Sequence, residues 1–396
     1  MYDFTSTIDR RHTDSIKWSG EPGELPMWIA DMDFQVAPEI QQAMQDKVAQ
    51  GVFGYEEPHA DYFQAVSDWY AQEHHATLDA DWLLFATGVI PALSATLRRV
   101  TNVGDSVVVT APVYNMFYNS IENSGRHTLS SDLVYDPAAH TYAIDFADLA
   151  AKLAQPLTTA MVLCNPHNPV GRIWTRAELT RIATLCSQNG VTLVADEIHG
   201  DLRLGTTDYV PTFSLPAALR DRLVVLCSPS KTFNVAALHA ATVIVPNPQL
   251  RAIVARGLGT DEVNEPNLLA IPGTIAAYTQ GHAWLAALRE KLQANLALVQ
   301  KRLSEAELPI ALVKPDATYL LWLDTSAISH DSTGLAAFLL ADTGLKVSAG
   351  ADYRGNGRDF LRLNIACPTP LLEDGLARLT RGLHDCQQRK DAHDQL

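Results

Sequence analysis

The residue whose setting most invites chemistry is Lys231. It lies in Ser228-Pro229-Ser230-Lys231-Thr232-Phe233, directly behind the apolar run Leu223–Cys227. An ammonium leaving a buried strand is desolvated, which lowers its pKa toward nucleophilic use. Such an amine forms a Schiff base with an aldehyde, and the hydroxyls of Ser228 and Ser230 can hold a phosphate. A lysine at a strand end is ordinarily a surface residue, and Ser-x-Ser-Lys recurs by chance. Two earlier segments carrying complementary groups set this lysine apart.

The first is Val191–His199, an apolar run that ends in Asp196, 231 − 196 = 35 residues before the lysine. Pyridoxal 5′-phosphate needs a carboxylate opposite its ring nitrogen, because the protonated ring is the electron sink. The C-terminal end of a strand is where open α/β sheets bind ligands. Asp196 also reads as an N-cap or an ion-pair partner. With Glu197, His199 and Asp201 it invites a metal, but no second cluster with ligand spacing stands out and none is expected. His199 reads as packing or support. The second segment, Met161–Gly171, runs into a Pro-rich turn displaying Asn165 and Asn168, whose amides either fix the turn or donate to a cofactor oxygen. Gly88, Val89 and Ile90 follow another apolar run and open a helix. Free N–H groups at a helix start, with a glycine allowing close approach, suit a phosphate.

In this order the three strand-end motifs resemble the fold-type-I pyridoxal-phosphate enzymes of the aspartate aminotransferase superfamily. Further segments carry the resemblance: Asp9–Trp18, Trp28-Ile29-Ala30-Asp31-Met32-Asp33-Phe34, Phe53-Gly54-Tyr55, Thr87–Leu93, Pro112-Val113-Tyr114-Asn115 and Arg362-Leu363-Asn364-Ile365-Ala366. The Trp-x-Ala-Asp-Met-Asp-Phe stretch favours the cystathionine β-lyase, or carbon–sulfur lyase, branch. The resemblance implies an α/β fold with a mainly parallel seven-stranded sheet in a large domain, plus a smaller α+β domain. It also implies pyridoxal 5′-phosphate bound by Lys231, which later removes the Cα proton. Asn168 would then contact the 3′-oxygen and Tyr114 would stack on the ring. Arg362 would clamp the substrate carboxylate, with the backbone of Ile29 and Ala30 nearby. Tyr55 would reach the phosphate of a neighbouring subunit in a homodimer. Relatives place a basic residue eight positions after the lysine; here it is His239. Cleavage of L-cystathionine or a related cysteine S-conjugate to a thiol, pyruvate and ammonia is the expected reaction. Transamination, which uses the same residues, is the alternative.

The elements needed to position these groups are legible in outline. Trp82–Ala86, Ser106–Thr110, Ala160–Cys164, Val191–Ala195, Leu223–Cys227 and Ala241–Val245 read as strands buried on both faces. Thr175–Asn189 reads as a helix with a Thr175/Glu178 capping box and Gly190 at its end. Pro38–Gln50, Pro266–Gln280, Trp284–Leu303, Gly334–Asp342 and Pro370–Cys386 read as helices, with strands at Tyr319–Leu323 and Phe360–Ile365. This divides the chain into an N-terminal arm with part of the small domain (1–45), a large cofactor-binding domain (46–283) and a C-terminal small domain (284–396). The tail after Arg389 is expected to fray.

Of the 396 residues, 47% are apolar and 19% charged, an ordinary globular balance, and the net charge is −15. That charge disfavours nucleic acid and anionic membranes as partners. No apolar run reaches membrane-span length. Five scattered cysteines with no Cys-x-x-Cys pair suit a reducing cytoplasm.

Overall fold

In the computed structural model, which describes residues 2–393, all six apolar runs form strands of one sheet. In chain order they are β1 (Leu83–Ala86), β2 (Ser106–Val109), β4 (Thr158–Cys164), β5 (Thr192–Asp196), β6 (Leu223–Cys227) and β7 (Ala241–Ile244). A seventh, β3 (His127–Ser130), joins β2 at the edge. The spatial order is β1-β7-β6-β5-β4-β2-β3, and only β7 runs antiparallel to its neighbours. Alternate residues face opposite cores. Val108, Met161, Leu163, Leu193 and Val225 pack on one side of the sheet, and Val107, Val109, Val162, Val194 and Val224 on the other. Two apolar faces explain the unbroken apolar runs.

The helices flank this sheet. α1 (Val89–Val100) follows β1, α2 (Arg176–Gln188) precedes β5, and the one-turn α3 (Pro229–Thr232) follows β6. In α2 the Thr175 side chain accepts from the Glu178 N–H while the Glu178 carboxylate receives the Thr175 N–H, and Gly190 lies at φ 67° beyond its end. α4 (His282–Glu305) begins at Gly281, where the preceding helix Ala270–Gln280 ends. That helix starts later than expected, because Asn267 folds residues 267–270 into a turn, its carbonyl accepting from the Ala270 N–H and its side chain from the Leu269 N–H. Beyond α4 lies a four-stranded antiparallel sheet, with Leu320–Asp324 and Phe360–Asn364 at its centre. It is packed with helices Ser332–Thr343 and Thr369–His393. The last helix continues past Arg389, where fraying was expected; Asp394–Leu396 lie outside the described residues. In the N-terminal arm, residues 2–37 are irregular except for Leu25–Pro26, which pairs in parallel with Leu345–Lys346, and the helix Pro38–Ala49 follows.

Candidate active site

Parallel strands deliver their C-terminal ends to one edge, and the residues that follow β1, β2, β4, β5 and β6 line a single cavity of about 350 Å³. Register sets Cys164 beside Asp196 and Asp196 beside Leu226. The three motifs, well separated in sequence, therefore meet: Asn168, Asp196 and Lys231 all line this cavity, with Tyr114, Gly88–Ile90, Ser228, Ser230, His199, His239 and Ala30.

The Lys231 Nζ donates to the Ala30 carbonyl at 2.7 Å. Burial, with the Arg362 charge adding to it, holds its pKa down at about 8, against the opposing pull of Asp31 and Asp196. The amine is thus readily available in its neutral form. Asp196 accepts one hydrogen bond, from the Ile198 N–H at 3.1 Å, and burial pushes its pKa up to about 7. Such a carboxyl lacks a cationic partner, and a protonated ring nitrogen is one. Burial also pushes the Tyr114 hydroxyl up to about 12, leaving a neutral flat ring on the cavity wall.

Asn168 is oriented from behind. Its Oδ1 accepts from Arg362 Nη1 at 3.0 Å, which leaves the amide N–H₂ to donate elsewhere. Arg362, itself buried, also donates from Nη2 to the Trp28 carbonyl at 2.8 Å, while its Nε is buried with no partner. At the other end, Gly88 adopts φ 153° and ψ 159°, and a Cβ there would sit 3.2 Å from Pro91 Cδ. The open N-terminus of α1 begins at that glycine.

Some expected residues sit differently. Asn165 does not line the cavity; its amide N–H₂ donates to Glu197 Oε1 at 3.0 Å and to the Val210 carbonyl at 3.1 Å, so it braces the loop. The Ser228 hydroxyl donates to the Ala240 carbonyl at 2.6 Å and caps the Ser230 N–H, leaving Ser230 as the freer hydroxyl. Ile29 is reached by Asn364 through its carbonyl and is not on the cavity wall. Tyr55, expected at a neighbouring subunit's site and not at its own, is fully exposed on a more open groove of about 600 Å³ that shares no residue with the cavity. Glu197 and Asp201 are held by protein donors, and no cluster that could hold a metal occurs among the described residues. Thr87, Cys164 and Ile198 line the cavity without having been named as candidates; each adjoins a residue that was, which is the available signal.

The aminotransferase class I and II family model matches residues 26–379. The chain belongs to that family. It is 38% identical over 387 residues to cystathionine β-lyase PatB of Bacillus subtilis, a match spanning 96% of this chain and 99% of the relative. It is 34% identical to protein MalY of Escherichia coli, across 97% of this chain and 99% of that one. Among solved structures, cystalysin from Treponema denticola, which contains a pyridoxal 5′-phosphate cofactor, superimposes with a TM-score of 0.93 at 28% identity, covering 97% of this chain and 99% of that one.

The residues of this family member fit pyridoxal phosphate. The glycine-led helix start with Ser230 and His239 suits a phosphate, Asp196 suits a protonated ring nitrogen, the Asn168 amide suits a ring oxygen, and the Lys231 amine suits an aldehyde. Arg362 is not on the cavity wall itself and lies behind Asn168; its orphaned Nε suits an anionic group arriving beside them.

Proposed function

We propose that this protein is a pyridoxal-phosphate-dependent carbon–sulfur β-lyase that cleaves L-cystathionine or a related cysteine S-conjugate to a thiol, pyruvate and ammonia. The observation that carries the reading is the meeting, in one cavity, of an amine held near neutrality and an underpartnered buried carboxyl. The choice of lyase rests on relatives of that name aligned over nearly the whole chain.

When bound, pyridoxal phosphate supplies an electron sink for negative charge at Cα. Each residue then has a task. Arg362 receives the substrate carboxylate through the donor its protein partners leave open. Lys231 takes the Cα proton, for which a pKa of about 8 is well matched. Asp196 holds positive charge at the ring nitrogen, and Asn168, aimed by Arg362, donates to the ring oxygen. Tyr114 covers one face and keeps water from it. The sulfur leaves from Cβ as a thiolate, and the remaining three-carbon fragment takes up water to give pyruvate and ammonia.

Val52, Phe53 and Tyr55 form an exposed apolar stretch, which supports a homodimer in which Tyr55 reaches its partner's site. Four of the five cysteines are buried and unpaired, which supports a cytoplasmic setting. Among the described residues no helix is long and apolar enough to cross a membrane.

The test is release of pyruvate from L-cystathionine with no keto acid present. A lyase releases it at once. A protein that turns over only with an added keto acid is an aminotransferase, and one that turns over under neither condition is not this enzyme.

A further inference from the structure

The backbone from Trp28 to Phe34 crosses directly over Lys231, and its anchoring is asymmetric. On one side Asn234, in the loop after α3, accepts from the Met32 N–H at 2.9 Å. It also donates to the Met32 carbonyl at 3.1 Å and the Phe34 carbonyl at 2.9 Å. Asn234 does this from φ 58°, a conformation that asparagine tolerates and most residues avoid. On the other side Asn364 donates to the carbonyls of Ile29 and Asp31, each at 2.7 Å, and Arg362 and Ser348 donate to Trp28. Beneath it Asp33, 2% exposed, takes Lys17 Nζ and Trp18 Nε1, both at 2.7 Å. Between these anchors stands the Ala30 carbonyl, which accepts from both Lys231 Nζ at 2.7 Å and the Tyr319 hydroxyl at 3.1 Å.

We propose that Asn234 is a positioning residue for the Lys231 amine. By pinning Met32 and Phe34 it fixes where Ala30 presents its carbonyl, and so how firmly the amine is held in its charged form. The physics is a balance. A carbonyl accepting from an ammonium favours the charged state, whereas burial disfavours it. Asn234 lies three residues beyond the lysine it serves, so the latch and the amine move with the same short stretch of chain. Tyr319 competes for the same carbonyl oxygen and weakens its grip on the amine. This inference rests on Lys231 being the reacting amine.

The two contacts make predictions of opposite sign. Asn234→Gly keeps the φ > 0 conformation and removes only the side-chain latch; Asn364 still holds Ile29 and Asp31, so the bond from Lys231 to Ala30 weakens without being lost and the Lys231 pKa should fall by up to about 1 unit. Tyr319→Phe removes the competing donor, and the pKa should rise by a smaller amount. Lys231 is titrated in the full-length chain freed of pyridoxal phosphate, from the pH dependence of its modification by a small acylating reagent, read by peptide mass spectrometry. General loosening of the fold would move both variants the same way. An unchanged value in Asn234→Gly, or shifts of equal sign, overturns the proposal. Should Asn234→Gly not fold, Asn234→Ser, with one hydroxyl in place of an amide that makes three bonds, is titrated in its place, and an unchanged Lys231 value there overturns the proposal. Failure to bind pyridoxal phosphate contradicts the functional reading and leaves this titration interpretable.

Discussion

Asp196 and Glu197 are adjacent, equally buried and both carboxylic, yet they belong to different parts of the molecule. Strand alternation sends them to opposite sides. Glu197 enters a closed network, accepting from the Thr212 N–H at 2.9 Å, Asn165 at 3.0 Å, and the hydroxyls of Thr212 and Tyr209. Asp196 meets one N–H and a cavity. The same division recurs in the next residues: Asp201 is held by Trp69, His74 and Thr232, whereas His199 has a buried Nδ1 with no partner. Both sets are titratable and buried. Unfilled hydrogen-bonding capacity sets Asp196 and His199 apart from Glu197 and Asp201.

Substitutions can break this contrast. The largest effect belongs to Lys231→Ala, which removes the proton acceptor at Cα; pyruvate release should fall by about 10³-fold or more with the fold retained by circular dichroism. Next is Glu197→Ala. It leaves several buried donors unpaired and should cost about 3–5 kcal/mol in denaturant unfolding. At pH 4, where the Asp196 carboxyl is protonated in the folded chain, Asp196→Ala strands only one N–H beside a cavity and should cost under about 1 kcal/mol. Equal costs for the two would abolish the distinction between site and scaffold.

Asp196 sharpens the contrast through pH. Its pKa rises from 3.8 to about 7 on folding, so between those values the folded chain binds more protons than the unfolded one. Stability contributed by this group therefore falls as pH rises from about 4 to about 7 and is flat outside that window. In cofactor-free protein Asp196→Asn should flatten the slope, gaining roughly 2–4 kcal/mol at pH 8 relative to wild type. A slope that survives the substitution would assign it to another group.

These contrasts also explain what a sequence reader can and cannot see. The strand ends carrying Asp196, Asn168 and Lys231 were legible because strands buried on both faces leave continuous apolar runs, and a parallel sheet gathers their ends at one edge. Strand β3 was not, since His127–Ser130 is a half-exposed edge strand with no apolar run. Asn165 and Asn168 are the same residue in the same turn. Only the path of that turn decides that one braces Glu197 and the other faces the cavity. The Ser228 hydroxyl, aimed at Ala240, is a similar case. Asn234 was silent because its partners lie about two hundred residues away, and spacing carries no signal over that distance.

His199 gives the smallest and most discriminating effect. Burial, with the charges of Lys231 and Arg362 adding to it, drives its pKa down to about 3. A lowered histidine pKa means the ring is neutral throughout the working range, so it offers one donor and one acceptor rather than a charge. Its Nδ1 is buried without an acceptor; the proton therefore belongs on Nε2, from which the ring can donate into the cavity. His199→Gln, which retains an amide donor, should leave the pyridoxal phosphate dissociation constant within about threefold, and His199→Phe should weaken it by about tenfold, the worth of one hydrogen bond. Neither should shift the acid limb of kcat/KM between pH 5 and 8, because no proton is gained there. A limb that moves in both variants would mean that the ring titrates in that range, and would transfer His199 from the neutral wall of the site to its acid–base machinery.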